Sequence, residues 1–529
     1  MKITTTMARN KRILLIFIIP LFSHSQVFNY STLDFNNIKT QVNDEGAFFY
    51  ASTSNGLGYE IPKGGGVSSI FCGSYFFGGY DPLGQLHLSG SLFNRNNLYA
   101  GAGLHSGPIA NQNAYSSIQY SNLYQNSIWN VASADIDNHI ANFQNSGYVI
   151  PSSIATWPGN GASSIGVANQ LAPYIDLNNN GVYEPALGDY PDIRGDQAVY
   201  VIMNDKSYLP GADAMNIEVH AMFYQFSSGN YLNNTTFLNL HVFNRSNTTY
   251  SNFRQALIMD FDIGNFSDDY VGCYAQNNVL FGYNGDLVDE VNAGNIGYGT
   301  SIPSQGVVSL SHDLYSAGPY GQSGQTYPDE FGTWLMMNGQ DYNGSYWTDL
   351  NSLPTLFKWN GNPNVPTDWH ELALNNPKGD RRGIMTIQEP NLPAGGSVCT
   401  DYAFIYDRSA GPFENAQNVI NIAASIRNLY QDNDLFPCQS GSFSAVNHIE
   451  ENTAASVFPN PSNGQFTLEM KEFASYSIRV TDALGNTIHT EHFTGKSATI
   501  HLNREVSRGV YFVTIDAEMG TSTHRMIIE

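Results

Sequence analysis

The chain has 529 residues, of which 46 are acidic and 23 are basic, so its formal net charge is −23 at pH 7. This negative balance disfavours nucleic acid and anionic lipid as partners and favours cations. Charged residues make up only 13% of the sequence, whereas glycine and tyrosine are abundant, a composition typical of β-structure with many turns. We therefore predict a mainly β protein with few helices.

The first 25 residues have the features of an export signal. Four basic residues and no acidic one precede or flank the apolar run 13–22, and the small side chains Ser23 and Ser25 stand before a cleavage point at Gln26. The run is too short to span a bilayer, and no later stretch is long and apolar enough to do so. We predict a signal peptide over residues 1–25 and a mature chain without a transmembrane segment, with a formal charge of −27 once the four basic residues are removed.

Export also places the cysteines in an oxidising compartment. Cys72, Cys273, Cys399 and Cys438 could form two disulfides in any of three pairings, and the alternative is four buried free thiols. No CxxC pair exists, so we do not expect structural zinc.

The next region, residues 26–438, is predicted to be the secreted functional part, a β-rich region of one or two sandwiches. Its first strands are aromatic-rich and broken by glycine. The triple glycine 64–66 lacks the Lys-Ser/Thr that follows a phosphate-binding loop, so we predict a β-turn there.

The stretch YIDLNNNGVYEPALGDYPDIRGDQ, residues 174–197, has the spacing of a calcium loop. The predicted ligands are oxygens at alternate positions followed by a closing carboxylate: Asp176, Asn178, Asn180, the backbone carbonyl of Val182, and Asp189. Leu187 occupies the position where an EF-hand has its bidentate glutamate, so this is not an EF-hand. The alternative is a plain hairpin, because Asn180-Gly181 is a strong type I′ turn signal.

A second acidic segment, MDFDIGNFSDDYVG, covers residues 259–272. In an extended strand Asp260 and Asp262 point to the same face about 7 Å apart. Like charges at that distance repel unless a cation intervenes. Asp268 and Asp269 return on the following loop, and we predict that these four carboxylates also bind calcium. The alternative is that they are solvated surface carboxylates.

Several other polar groups are weaker candidates for a metal site. The first set is Asp286, Asp289 and Glu290, three acids that follow the second acidic segment. The other two sets contain a histidine at alternate spacing: Asp135, Asp137 and His139; Glu218 and His220. We interpret both histidines as hydrogen-bonded structural side chains. Among 46 acidic residues, no carboxylate pair is singled out as the catalytic pair of a glycosidase.

One helix is predicted at residues 415–430. Val419, Ile422, Ile426 and Leu429 recur there at spacings of three and four, which gives a helix one apolar face. We expect this helix to cover a sheet.

The end of the chain contains a polar stretch, residues 439–456, which we interpret as a linker, and then a unit at residues 457–529. Apolar residues alternate in each run of this unit, and Asn463-Gly464 and Gly485-Asn486 separate the runs as hairpin turns would. The pattern predicts a small β-sandwich.

The order PNPSNGQF, VTDALGN, SRGVYFVTI and a basic-apolar tail resembles the type A C-terminal sorting domain of the Bacteroidetes type IX secretion system. Arg525 stands where that family usually has lysine, which keeps the charge. The resemblance implies an Ig-like fold, Sec export, recognition by the type IX machinery, and release from or attachment to the cell surface. Segments such as IPKGGG, WPGNG and FNRS also resemble a group of secreted Bacteroidetes proteins, a likeness that implies shared architecture and no activity.

Three functions fit this sequence. The first is a calcium-stabilised adhesive or glycan-binding structural protein at the cell surface, because 32 tyrosines and 6 tryptophans suit sugar recognition. The second is a secreted hydrolase acting on polysaccharide or peptide. The third is a subunit of a filament or gliding apparatus. We favour the non-enzymatic interpretation, with calcium as the expected ion.

Overall fold

The computed structural model describes residues 29–51, 57–90, 103–206, 214–291, 296–321, 328–433, 438, 455–460, 462–482, 487–502, 506, 508–517 and 520–528. The predicted signal peptide and residues 439–454 of the predicted linker lie outside the described residues.

The first part of the chain contains short strands and three helices: β1 (Tyr30–Leu33), β2 (Lys39–Asn43), β3 (Ala47–Phe48), β4 (Tyr59–Glu60), β5 (Ser68–Ile70), β6 (Cys72–Tyr80), β7 (Leu86–Gly90), β8 (His105–Ser106), α1 (Ile118–Leu123), β9 (Ile128–Ala132), α2 (Ser133–Asn142), α3 (Ser152–Ala155), β10 (Tyr174–Ile175) and β11 (Tyr190–Pro191). The second part contains longer strands and two helices: β12 (Gln197–Asn204), β13 (Ile217–Gln225), β14 (Thr235–Asn244), β15 (Tyr250–Phe261), β16 (Asp269–Tyr274), β17 (Val279–Asn284), β18 (Ser304–Ser309), β19 (Ser316–Pro319), α4 (Glu330–Met337), β20 (Arg381–Leu392), β21 (Ser397–Asp407) and α5 (Pro412–Asn433).

The last part contains strands only: β22 (Ala455–Phe458), β23 (Gln465–Asp482), β24 (Thr487–His501), β25 (Gly509–Ala517) and β26 (Gly520–Ile528). Single turns of 3-10 helix lie between the longer elements: Gln112–Ala114, Ser163–Ile165, Pro185–Leu187, Tyr231–Asn234, Phe266–Asp268 and Ala275–Asn277. The chain is mainly β, as the composition predicts.

Two large antiparallel sheets form the centre of the protein. A nine-stranded sheet has the order β16-β17-β18-β21-β14-β13-β12-β8, with β9 also paired to β12, and a six-stranded sheet has the order β19-β20-β15-β6-β3, with β7 beside β6. Their inner faces share one apolar core, in which Phe223 and Leu238 of the first sheet belong to the same cluster as Leu257 and Met385 of the second. This is the packing of a β-sandwich.

Helix α5 covers the outer face of the nine-stranded sheet. Its buried side chains include Val419, Ile420 and Ile426, which pack in one cluster with strand residues. Gly306 of β18 permits the close approach, because a Cβ there would lie only 2.5 Å from Cγ1 of Val419. The helix predicted at residues 415–430 and its role as a cover for a sheet are both confirmed.

The outer face of the six-stranded sheet is covered by α4 and the turns after it. Trp334, Met337 and Trp347 pack there against Phe76 and Ile384 of the sheet. Because both faces of the central sheets are covered, β13 is buried at every position, including the polar residues Glu218, His220 and Gln225.

The C-terminal part of the chain, residues 455–528, has its own sheet and its own core. Strands β22, β23, β25 and β26 are neighbours in that order, and β24 pairs with β23 in the same five-stranded sheet. The buried cluster consists of side chains such as Phe466, Ile478 and Val513. Gly464 has a φ of +90° in the connection between β22 and β23, whereas the turn predicted at Gly485-Asn486 lies outside the described residues.

The glycine turn at residues 64–66 is present, with positive φ at Gly64 and Gly66. The cysteines differ from the expected two disulfides. Cys399 of β21 is bonded to Cys438, while Cys72 and Cys273 are buried free thiols. The two free thiols start or lie within strands of different sheets and pack as small apolar side chains.

Candidate functional site

The predicted calcium loop is a long hairpin connection between β10 and β11, which pair antiparallel. Its polar oxygens accept backbone N–H groups of the same loop. Asp176 accepts from Gly181 at 2.7 Å, Asn178 accepts from Asn180 at 3.0 Å, and Asn180 accepts from Val182 at 2.8 Å. These short-range bonds are the turn chemistry of Asp and Asn side chains.

Asp189 is buried beneath this loop and fixes its shape. One carboxylate oxygen accepts the Leu177 N–H at 2.9 Å and the other accepts the Glu184 N–H at 2.7 Å. A type I′ turn needs positive φ at both central residues. Here Asn179 and Gly181 have positive φ and Asn180 does not. The alternative of a type I′ turn at Asn180-Gly181 is therefore wrong. Metal binding by this loop stays a prediction.

The second acidic segment lies at one end of the six-stranded sheet. Asp260 is the second-last residue of β15 and pairs with Arg382 of β20 on one side and Cys72 of β6 on the other. Asp260 is 4% exposed, and Asp268 and Asp269 are also buried. The alternative of solvated surface carboxylates is therefore wrong for these three residues, because layers of protein cover both faces of the sheet.

A third carboxylate completes a cluster that the sequence did not reveal. Oxygens of Asp260, Asp262 and Asp380 all lie within 4.8 Å of one another. Asp380 immediately precedes β20. The pairing of Asp260 with Arg382, which are 122 positions apart in the chain, brings Asp380 to the end of β15. We call these three residues the carboxylate trio.

Arg382 is the cation at the carboxylate trio. Its Nε donates to Asp260 at 3.0 Å and its Nη2 donates to Asp380 at 2.7 Å. Burial raises the pKa of Asp260 to about 7, and Arg382 opposes that rise while Asp380 adds to it. Burial and the charge of Asp260 raise the pKa of Asp262 as well. One guanidinium therefore faces three carboxyl groups.

The other predicted ligands lie beside the trio and outside it. Asp269 accepts the Ile263 N–H at 2.9 Å, and Asp289 accepts the Asn265 N–H at 3.0 Å. Burial raises the pKa of Asp268 to about 6. Asp286 forms an ion pair with Lys378, and neither Asp286 nor Glu290 belongs to the trio.

Glu218 and His220 form a sealed polar network on β13. Glu218 accepts hydrogen bonds from His220 Nε2 at 3.0 Å and from Arg245 Nη2 at 2.6 Å, while Tyr200 and His220 Nδ1 are 2.6 Å apart. Although burial opposes it, these donors lower the pKa of Glu218 to about 2. Donors occupy both of its carboxylate oxygens, since the Ile109 N–H also donates to Oε2 at 2.7 Å, which supports the structural interpretation.

Asp135, Asp137 and His139, the weaker metal candidate with alternate spacing, lie on helix α2. Residues two apart on a helix differ by about 200° in direction, so the three do not form one metal-binding face. His139 is buried and its Nδ1 lies 3.3 Å from the hydroxyl of Tyr148.

A segment with exposed aromatic side chains follows the start of α4. Phe331, Tyr342 and Tyr346 are 57%, 49% and 63% exposed. After the helix the chain makes two consecutive turns, closed by bridges between Gln340 and Tyr346 and between Thr348 and Pro354. We call residues 329–354 the aromatic segment.

Buried and polar side chains fix the shape of the aromatic segment. Trp347 is buried against the six-stranded sheet, and its Nε1 donates to Asp341 at 3.1 Å. Asp349 accepts the N–H groups of Asn351 at 2.8 Å and Leu353 at 2.9 Å. The abundance of tyrosine in the sequence suggested aromatic binding loops, although nothing in it selected this segment.

A shallow cavity of about 400 Å³ lies beside α1. Its lining contains hydroxyl and amide side chains, among them Ser117, Asn122 and Gln125, and includes no carboxylate or imidazole. It therefore lacks the acid pair that glycoside hydrolysis requires.

Residues 456–529 match the protein family described as the secretion system C-terminal sorting domain. The chain carries a C-terminal sorting domain of the type IX secretion system. It is exported to the cell surface or the extracellular space, as the resemblance implied. Within the described residues, no helix combines the length and the apolar character that crossing a membrane would require.

The other comparisons either cover a small part of this chain or have a low sequence identity to it. An endo-acting ulvan lyase of Formosa agariphila is 31% identical over 72 residues, which is 14% of each chain. A solved polysaccharide lyase covers 67% of this chain and 38% of its own, with a TM-score of 0.18 and 6% identity. PorZ, a surface component of the type IX system of Porphyromonas gingivalis, covers 63% and 43%, with a TM-score of 0.14 and 12% identity. The protein thus spans less than half of each of these relatives.

Proposed function

We propose that this exported protein is a non-catalytic adhesive protein that binds glycan through the aromatic segment. The observation that carries the proposal is the exposure of Phe331 on α4 and of Tyr342 and Tyr346 on the turns after it, where the backbone is already fixed. Aromatic rings offer a large apolar face on which the C–H face of a sugar can stack. A segment that is ordered before binding loses little conformational entropy when the ligand arrives.

Polar groups beside the rings suit the hydroxyl groups of a sugar. Asn343 and Asn351 are exposed on the two turns, next to Tyr342 and Leu350. The amide of Asn343 uses its oxygen to accept the Ser345 N–H at 3.0 Å, so its NH₂ group can still donate outward. A few oriented polar groups beside an apolar surface are typical of small-molecule recognition.

A secreted enzyme acting on polysaccharide is the alternative outcome. The names of two relatives are those of polysaccharide lyases, but one match covers 72 residues and the other has a TM-score of 0.18. Neither likeness transfers an activity to this chain.

The test is a glycan array with the secreted protein, comparing wild type with a Tyr342→Ala, Tyr346→Ala double variant. Both side chains are exposed, so their removal should leave the fold intact, which circular dichroism checks. We expect apparent affinity to fall by about tenfold or more, as the loss of two stacking rings at about 1 kcal/mol each implies. The matched control is Tyr30→Ala, because Tyr30 is another exposed tyrosine and is 44% exposed on β1.

Two results would overturn the proposal. One is glycan binding by the double variant at wild-type strength. The other is the appearance of shortened polysaccharide chains during incubation with wild type, which would make the protein an enzyme.

A further inference from the structure

The carboxylate trio contains more negative charge than its protein partners neutralise. Three carboxyl groups bring oxygens within 4.8 Å of one another at a buried strand end. Arg382 contributes one positive charge, shared between Asp260 and Asp380. Carboxylates this close in a medium of low dielectric repel strongly unless a cation or protons compensate them.

Two oxygens of the trio lack a hydrogen-bond donor. Asp260 is 4% exposed, and its Oδ1 is buried without a hydrogen-bond partner, while its Oδ2 accepts from Arg382. Oδ1 of Asp380 is buried without a partner as well. Buried acceptors in folded proteins are nearly always satisfied, so these atoms point to a ligand that supplies positive charge.

From this arrangement we infer that Asp260, Asp262 and Asp380 bind one divalent cation, and that in the extracellular medium this ion is calcium. The inference concerns the stability of the sandwich and goes beyond glycan binding. The side-chain ligands are all carboxylate oxygens, the donor type that hard cations such as calcium and magnesium prefer. Water and backbone carbonyl oxygens complete the larger coordination shell of calcium.

The nearest thiol argues against zinc at this position. Cys72 pairs with Asp260 across β6 and β15. Its sulfur is not among the ligand atoms that lie within 4.8 Å of one another, so the trio offers carboxylate oxygens alone, whereas zinc prefers nitrogen and sulfur ligands.

The ion would connect strand ends that are distant in the sequence. Asp260 lies near the end of β15 and Asp262 directly follows that strand, whereas Asp380 precedes β20. The backbone carbonyl of Asp260 also accepts the Phe71 N–H at 2.9 Å, which attaches the start of β6 to the same point. Binding in the folded state alone would therefore raise the stability of the six-stranded sheet.

This assignment differs from the sites expected from the sequence. The trio includes Asp380 and leaves out Asp268 and Asp269. In the hairpin loop at residues 176–189, backbone N–H groups occupy one oxygen of Asp176 and both oxygens of Asp189, while the other oxygen of Asp176 is buried without a hydrogen-bond partner. Asp176→Asn therefore distinguishes a site in this loop from the trio.

The experiment is calorimetric titration of calcium chloride into the secreted protein at pH 7.5 after metal removal with EDTA, together with thermal unfolding. The informative variant is Asp380→Asn, because this side chain is 25% exposed at a strand start and asparagine preserves its shape. We expect wild type to bind calcium and gain thermal stability. Asp380→Asn should bind one ion fewer, or bind it at least about tenfold more weakly, and Asp176→Asn should match wild type.

Arg382→Gln provides a second, independent test. Removing the competing guanidinium leaves three uncompensated carboxylates. We therefore expect this variant to melt below wild type in EDTA, to recover when calcium is added, and to bind calcium more tightly than wild type. A network that is only an ion pair would give lower stability with and without calcium.

The inference is overturned if wild type binds no calcium, if Asp380→Asn binds as wild type does, or if Asp176→Asn loses the ion instead. Preference for zinc over calcium in a competition titration would also overturn it. Magnesium serves as a further probe, and we expect it to bind more weakly because it requires a smaller octahedral shell.

Discussion

Single buried carboxylates outside the trio make stability depend on pH. Asp44 is fully buried, and burial raises its pKa from 3.8 to about 6, although Ser106 opposes the rise. The folded protein therefore keeps this proton at a higher pH than the unfolded chain does. The contribution of Asp44 to stability is complete below about pH 4 and is lost as the pH rises through about 6.

We expect the Asp44→Asn variant to lose this pH dependence, since asparagine imitates the protonated acid. Relative to the variant, wild type should lose about 2 kcal/mol of unfolding free energy between pH 4 and about pH 7. Urea denaturation across that range measures the difference. Asp137→Asn, an exposed position on α2, is the control and should follow wild type. Parallel stability profiles for wild type and Asp44→Asn would contradict the expectation.

The sequence revealed the site residues that depend on local spacing, and it did not reveal those that depend on contacts between distant parts of the chain. Asp260 and Asp262 are neighbours in a strand, so their shared face followed from alternation alone. Asp380 joins them only through the register of β15 with β20 across 122 positions, which no motif records. The burial of Asp260 was also out of reach, because it depends on the layers that cover the sheet.

Helix α5 and strand β18 meet where one residue has no side chain. A Cβ added to Gly306 would lie 2.5 Å from Cγ1 of Val419 and 3.2 Å from Cγ1 of Ile405. The helix can therefore approach the sheet only because this position is glycine. The contact couples a helix that covers the sheet to a strand in its middle.

We expect Gly306→Ala to destabilise the protein by about 1 to 3 kcal/mol, because the methyl group must displace α5 from a packed face. Val419→Ala alone should also destabilise, by about 1 kcal/mol or more, through lost apolar contact. The double variant should recover part of the loss, since removing two methyl groups at residue 419 makes room for the new one at residue 306. A double-mutant cycle by chemical denaturation measures this coupling. Simple additivity of the two losses would show that the contact does not limit the helix position.

Helix α5 was predictable because the period of a helix is local, and its apolar face is recorded at Val419, Ile422, Ile426 and Leu429. The central strands were harder to delimit. β13 is buried at every position, including Glu218, because a layer of protein lies on each face of its sheet. The alternation of Glu218 and His220 with apolar residues therefore does not mark a face exposed to solvent. The next pairing in this sheet joins β14 to β21, which is far away in the sequence.

The sorting domain and the central sandwich have separate hydrophobic cores. The buried residues of the domain's hydrophobic cluster come from residues 466–528, and none of them belongs to the cluster between the two large sheets. A part of the chain with its own core can be removed without opening another core. Recognition by the type IX machinery and folding of the sandwich should therefore be separable.

We expect deletion of residues 456–529 to abolish delivery to the cell surface while the sandwich stays folded. In the native host, the truncated protein should accumulate in the periplasm, since the signal peptide predicted from the sequence still directs the first export step. Its thermal unfolding after purification should match that of the full chain for the main transition, because no residue of the central core is lost.

Val513→Asp is the matched control, because it keeps the chain length and places a charge in the core of the sorting domain alone. A buried unpaired charge is strongly destabilising, so this variant should also be retained. Retention of both variants with an unchanged main transition would show that export requires the folded sorting domain. It would also show that folding of the sandwich does not require that domain. Surface delivery of the truncated protein, or loss of its main transition, would contradict the separation of the two cores.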